Sequence, residues 1–398
     1  MGEPIRIRMY TVGFGDSFLL FLPTDDGIKK VFIDCGTIKQ KKKNIAAIVQ
    51  TVMKDVTDPD GVARIDLLVL SHRHKDHLSG FLEVAWSDVE VGEVWMPWVE
   101  SPDDPDARAL RREQNATAHA IKKIAALFAG HENAAEIAAN ALEGASALEI
   151  VRAGFAKKVK PRYLPTGSKQ VEPVEVRALP GVQVFALGPP RDFAALKEPD
   201  PPNEQTLLSG YSIPPDADGP GQKFQPFSFD WVADPGVVLL DEFRFQEAAS
   251  MTDLFELAAA KLDADINNTS LMLVFCVGKQ VLLFPGDAQW GPWELLLQND
   301  EAVDLLKKVT FLKVSHHASH NGSPATLMRE VLGLDNNQAG KVHAMISVTQ
   351  RGSWPIPHHP VLRLMNDKGW PYVSSDETGQ KPGFSRSRDL WWEISLPT

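Results

Sequence analysis

Apolar and polar residues alternate from near the start of the chain, with Ile5, Ile7 and Met9 set against Arg6, Arg8 and Tyr10. A period of two predicts a half-buried strand. Gly13-Phe14-Gly15-Asp16 breaks the alternation, and residues 17–22 predict a second strand. Asp25-Asp26-Gly27 is a hairpin signal leading to a third strand over 30–34. Ile45, Ile48, Val49 and Val52 then take up helical spacing. Residues 65–70 are apolar almost without interruption, as in a strand buried on both faces. Another strand is predicted over 91–96. Residues 104–156 are rich in Ala, with apolar residues three and four apart, which predicts two or three helices inserted between sheet elements.

Strands resume over 174–178 and 182–187 and stop at Pro189-Pro190. Residues 199–236 hold Pro201-Pro202, Pro214-Pro215 and Gly219-Pro220-Gly221, which predicts a long loop. A short helix over 254–262 follows. Apolar strands over 271–277 and 280–284 flank Gly278-Lys279. Strands over 309–314 and 344–348, a helix over 361–368 and a closing edge strand over 390–396 complete an α/β pattern.

The chain has 398 residues, 43% of them hydrophobic and 23% charged, which excludes a mainly disordered or collagen-like protein. No apolar run reaches the length of a membrane span, and the first ten residues lack the apolar core of a signal peptide. A cytoplasmic protein without membrane attachment is expected, organised as a single domain over 1–398. Its insertions are 104–156, helical, and 199–265, an acidic Pro-rich loop and then a short helix. The net charge of −11 opposes bulk electrostatic binding to nucleic acid. Residues 201–265 hold 12 acidic and 3 basic residues, so the remainder is near neutral and leaves room for a local basic groove. Cys35 and Cys276 lie in strand-like runs and read as small buried hydrophobes.

Three clusters carry chemistry. Directly after the apolar run 65–70 comes Ser71-His72-Arg73-His74-Lys75-Asp76-His77. His72, His74 and Asp76 share a parity, so an extended backbone projects them to one side. Imidazole with carboxylate suits zinc, manganese or iron. Gly286-Asp287 ends another apolar strand, where the glycine permits close backbone approach. Ser315-His316-His317-Ala318-Ser319-His320 follows a third. If these strand ends meet, they supply six or seven ligands, enough for two metal ions.

The HxHxDH pattern of His72, His74, Asp76 and His77, the strand-end Asp34 and the later Gly286-Asp287 resemble the metallo-β-lactamase fold superfamily. The closer resemblance is to the soluble metallo-β-lactamase-like domain of the competence protein ComEC. Val12-Gly13-Phe14-Gly15-Asp16-Ser17 resembles its VGxGDS opening, and residues 33–36 its IDCG element. Asn267-Asn268-Thr269-Ser270-Leu271 is similar to its NNxSL strand, residues 312–319 to LKVxHHGS, and His359-Pro360 to its final His-Pro. The matches run in order over most of the chain. The membrane channel of ComEC has no counterpart, and Ala318 stands in place of the HHGS glycine.

The resemblance implies an αββα sandwich of the metallo-β-lactamase type with two divalent transition-metal ions, zinc first and manganese as the alternative. His72 and His74 would hold one ion, Asp76 and His77 the other, and Asp287 would bridge them. His316 or His317 would complete the second site; with His316 as the ligand, His317 is left as a catalytic group beside Asp76. The superfamily's further metal histidine is replaced by Asn267-Asn268, which leaves the first site one ligand short. Asp34, Asn268 and His359 are expected around the ligands or substrate. Metal ions lower the pKa of bound water toward 7 and neutralise charge on the attacked group. The expected function is a metal-dependent hydrolase acting on phosphodiesters or nucleic acid. A hydrolase of lactones, thioesters or amides and a degenerate regulatory module are the alternatives.

Overall fold

The computed structural model of the chain describes residues 2–38, 45–126, 132–207, 251–335, 340–349, 356–387 and 390–398. In chain order the strands are β1 (Ile5–Tyr10), β2 (Phe18–Thr24), β3 (Gly27–Ile33), β4 (Arg64–Val69), β5 (Glu90–Pro97), β6 (Arg162–Leu164), β7 (Glu172–Val174), β8 (Gln183–Gly188), β9 (Met272–Val277), β10 (Gln280–Phe284), β11 (Phe311–Lys313), β12 (His343–Ile346), β13 (Tyr372–Ser374), β14 (Phe384–Ser387) and β15 (Trp391–Leu396). The α-helices among the described residues are α1 (Ile45–Val56), α2 (Lys75–Leu78), α3 (Pro105–Ala125), α4 (Glu132–Glu143), α5 (Ala145–Ala153), α6 (Phe193–Leu196), α7 (Met251–Asn267), α8 (Trp290–Leu297), α9 (Asp300–Leu306) and α10 (His359–Asp367).

The strands form two mixed sheets, ordered β14-β15-β1-β2-β3-β4-β5-β6 and β13-β12-β11-β10-β9-β8-β7. Strands β3 to β6 run parallel, as do β10 to β13. The alternation read at the N-terminus decides which side chains face inward. Ile5, Ile7 and Met9 join Leu273, Phe275, Leu282 and Phe311 in one core between the sheets. The Phe18 and Phe284 rings meet edge-on across it at 5.7 Å. Each such side chain, fully buried, contributes about 1.5–3 kcal/mol. In β4, Leu67 and Val69 enter this core while Ile65 and Leu68 face Val49 and Val52 of α1, so the strand is buried on both sides as its composition predicts. Trp293 of α8, Leu306 of α9 and Val361 of α10 cover the outer face of the second sheet.

The Ala-rich insertion is three helices, α3 to α5. Asp104 caps α3 by accepting from Asp106 N at 2.9 Å and Ala107 N at 3.0 Å, and Pro105 fits the first turn, where no N–H is needed. Helix α7 packs on this insertion through Leu262 and Ile266 against Ala118, Ile121 and Ala138.

Several boundaries differ from the sequence reading. Strand β15 is not the sheet edge, because β14 pairs outside it. The FSRS sequence of β14 has one apolar residue and carries too little pattern to be seen. Strand β7 ends at Val174 rather than continuing to 178. Helix α7 extends past 262 to Asn267. The part of the predicted loop 199–236 beyond residue 207 lies outside the described residues.

Candidate metal centre

The chemistry-bearing residues follow the carboxyl ends of parallel strands, where α/β sheets place their ligands. Asp34 follows β3, Ser71 to His77 follow β4, Asp287 follows β10, His316 and His317 follow β11, and Ser347 follows β12. Asp16 and Ser270 precede β2 and β9, which run the opposite way and so reach the same edge. Backbone bonds knit the loops together. Asp16 N donates to Asp76 O at 3.1 Å, Cys35 N to His77 O at 2.8 Å and Leu271 N to Ser71 O at 2.7 Å. Gly15 and Gly36 are required here, since a Cβ on either would run into the Asp76 backbone.

Among the described residues, ligand atoms of Asp76, His77, Asp287 and His317 lie within 4.8 Å of one another, as do those of Asp16, Asp34 and His77. His77 donates from Nδ1 to Asp34 Oδ2 at 2.8 Å, which leaves Nε2 facing Asp287 Oδ2 at 3.2 Å. Asp34 is itself held by Ser71, whose N and Oγ donate to it at 2.7 and 2.5 Å. His317 donates from Nδ1 to Ser347 O at 2.5 Å, and its Nε2 lies 3.2 Å from Asp287 Oδ2 and 3.4 Å from Asp76 Oδ2. Two rings anchored on one nitrogen thus turn the other toward the same carboxylates. This is the carboxylate- or carbonyl-braced arrangement of metal-binding histidines.

The electrostatics agree. Asp16, Asp34, Asp76 and Asp287 are all at most 3% exposed, and Lys313 is the buried cation beside them, 2.5 Å from Asp16 Oδ2 and 2.6 Å from Asp287 Oδ1. Among the described residues, with neutral imidazoles, four carboxylates against one ammonium leave three negative charges uncompensated, a costly arrangement unless cations bind. Burial pushes His317 down, but Asp287 and Asp76 outweigh it and hold the ring up to about 10. His77 is likewise raised well above the usual histidine range against burial by Asp287, Asp76 and Asp34. Asp76 is lowered despite burial by His77 and His317. Without metal, protons take the cationic positions. His317 Nε2, His74 Nε2 and Asp16 Oδ1 are buried with no hydrogen-bond partner. This donor set of imidazole and carboxylate suits zinc, manganese or iron.

His72 and His74 lie beside this group rather than in it. His72 Nε2 is 3.1 Å from His74 Nδ1, which also donates to Asn267 Oδ1 at 2.9 Å. Burial lowers His72 well below the usual range and His74 to about 4, so both are neutral, as ligands must be. His316, expected as the ligand, is turned toward Asn267 Nδ2 at 3.2 Å and Ser319 Oγ at 2.9 Å, while His317 takes the place among the carboxylates. Three consecutive left-handed residues, His316, His317 and Ala318 at φ 44, 51 and 62°, set which ring points where. Asn268 is occupied elsewhere. Its Nδ2 donates to Glu198 O at 3.0 Å and its Oδ1 accepts from Gln289 N at 2.8 Å. His359 is exposed at the first turn of α10.

Four participants were not assigned roles from the sequence. Lys313 and Asp16 sat inside quoted motifs and gave a signal in their type alone. Asn140 of α4 accepts from Lys75 N at 2.8 Å and donates to Asp76 Oδ1 at 3.4 Å. Asp263 of α7 lies 3.6 Å from His74 Nε2. Neither of the latter pair has a local sequence signal. No protein-family model and no curated protein matches the chain.

Proposed function

We propose that this protein is a metal-dependent hydrolase of phosphodiester bonds, built on the αββα sandwich of the metallo-β-lactamase superfamily, with motifs that resemble the ComEC-type domain. The observation that carries the reading is the buried meeting of His77 and His317, each anchored through Nδ1, with Asp76 and Asp287. Divalent ions held there, zinc first and manganese as the alternative, supply a water of lowered pKa and neutralise charge on a phosphoryl group. The chain's own residues do the rest. Asp34 fixes the tautomer of His77, and Lys313 engages Asp287 Oδ1 so that Oδ2 remains toward the imidazoles. Asn140 and the His317 ring orient Asp76. With His317 in the ligand group, His316 and His320 of the same loop are the histidines left as candidates to protonate the leaving group, and His320 Nε2 lies 3.4 Å from Asp200 Oδ1. The resemblance supports a nucleic acid or a smaller phosphodiester as the substrate.

The test is elemental analysis of chelator-free protein followed by assay on a chromogenic phosphodiester. Wild type is expected to carry transition metal and turn over. Asp76→Asn and Asp287→Asn are expected to lose about a hundredfold or more while remaining folded. Hydrolysis of thioesters or lactones without any phosphodiester cleavage reassigns the reaction. Folded protein that never acquires metal overturns the reading.

A further inference from the structure

We propose that a cavity beside the metal group binds one nucleotide of the substrate, next to the scissile diester. This rests on the phosphodiesterase reading above and deepens it by naming what lies beyond the cleaved bond. The cavity has a volume of about 260 Å³ and is lined by Pro165, which follows β6, and Pro189, which follows β8. Strands β6 and β8 run parallel to β4 and β10 and lie two places along from them in their sheets. The metal group stands at the ends of β4 and β10, so the cavity shares its edge of the sandwich. Two strand spacings place it about 10 Å away. Its size is close to the lower end, about 300 Å³, of small-molecule sites, which combine apolar walls with a few polar groups.

Contacts within the chain fix the frame. Glu172 accepts from Thr166 N at 2.9 Å, Thr166 Oγ1 at 2.7 Å and Gly167 N at 2.8 Å, which holds the turn between β6 and β7. Trp98 Nε1 donates to Pro189 O at 3.1 Å. Arg191 lies over the Trp98 ring at 4.1 Å and pairs with Asp104 Oδ2 at 2.6 Å. Asp192 Oδ1 is taken by Ala194 N and Ala195 N of α6. Leu187, Leu295, Leu296 and Pro292 supply an apolar wall for the face of a base. Set in this frame, Ser168, Lys169 and Gln170 line the cavity with side chains that, among the described residues, have no hydrogen bond or ion pair. With Arg191 and Asp192 engaged, Lys169 is the lining cation left without a carboxylate among the described residues, and its charge suits a phosphate. The Gln170 amide offers both donors and an acceptor, as the edge of a base requires.

The experiment titrates the full-length, chelator-stripped protein with thymidine 5′-monophosphate by calorimetry, so that no metal ion takes part. Wild type is expected to bind one molecule per chain. Lys169→Gln is expected to weaken binding by about tenfold, the loss of one charge-assisted hydrogen bond. Ser168→Trp, at an exposed position where the fold is spared, should fill the cavity and abolish binding. Metal-loaded protein is then assayed on the 5′-phosphorylated dinucleotide pTpT and on bis(4-nitrophenyl) phosphate. In Ser168→Trp the KM for the dinucleotide should rise about tenfold relative to that for the small diester. A wild type that does not bind thymidine monophosphate overturns the assignment, as does a Ser168→Trp protein that binds it unchanged. An unchanged KM ratio removes the cavity from the substrate's path. Binding that follows the expected pattern in a protein that cleaves no diester keeps the nucleotide site and overturns the hydrolase reading.

Discussion

Lys313 is 2% exposed and touches Asp16 Oδ2, Asp287 Oδ1 and the Gly286 carbonyl, so its ammonium has three acceptors and no access to water. Removing one partner of a buried ion pair leaves an uncompensated charge and costs about 3–5 kcal/mol. Lys313→Met is therefore expected to destabilise the chelated protein by about that amount in urea denaturation, with part of the loss recovered on adding Zn²⁺. Unchanged stability would mean that the carboxylates find their countercharge elsewhere. Ala318 illustrates an opposite balance. Its left-handed backbone costs about 1–2 kcal/mol relative to glycine. Its buried methyl returns about 0.8 kcal/mol, and avoiding glycine's conformational entropy returns about 0.5–1 kcal/mol. The terms nearly cancel, which is why alanine is tolerated at this position.

The helical insertion does more than decorate the sheets. Arg73, inside the histidine motif, donates to Gln114 Oε1 at 2.9 Å and Asn115 Oδ1 at 2.8 Å on α3. Asn140 on α4 clamps both the Lys75 backbone and Asp76. A ligand oriented by such partners typically loses 10–100-fold in metal affinity when they are removed. Asn140→Ala is expected to weaken Zn²⁺ binding by about tenfold, at a stability cost of about 2 kcal/mol for the two hydrogen bonds lost. Titration with a competing chelator reads the first quantity and urea denaturation the second. Unchanged affinity with reduced stability would make the insertion a brace for the fold alone. The Ala-rich spacing over 104–156 predicts these helices well, because periodicity reports which face is buried. It does not report that Asn140, a polar residue within a buried stripe, points at a loop more than sixty residues earlier.

Across the whole molecule, the metal-free state has a pH signature. His317 is held near 10 and His77 is also raised, by Asp287 and its neighbours against burial. A histidine raised above its unfolded value of about 6.5 stabilises the fold fully below that value, and the contribution is lost as pH rises through the folded value. Chelated protein is thus expected to show a Tm that falls between about pH 6.5 and 10. The fall should be smaller with Zn²⁺ bound, because ions then hold the rings without protons. Scanning calorimetry at several pH values, with and without chelator, checks this. A rising or flat Tm in the chelated protein would contradict the proposed balance of charges.

Much of the architecture is written locally. The alternation of Ile5, Ile7 and Met9, the two-sided burial of β4 and the glycines at turns each follow from neighbours in the chain. So does the crowding of His72, His74, Asp76 and His77 into six residues after a strand, because strand-end chemistry needs only a strand and what comes next. The choice between His316 and His317 is different. It depends on three left-handed residues in a row, which rotate one ring toward the carboxylates and the other toward Asn267. Asp263, Asn140, Asp16 and Lys313 become partners of the site only when segments far apart in sequence pack at one edge. Spacing along a chain fixes the face on which a side chain lies. Whether two atoms stand 3 Å or 6 Å apart depends on how sheets, helix ends and insertions settle against one another, and that is a property of the packed molecule.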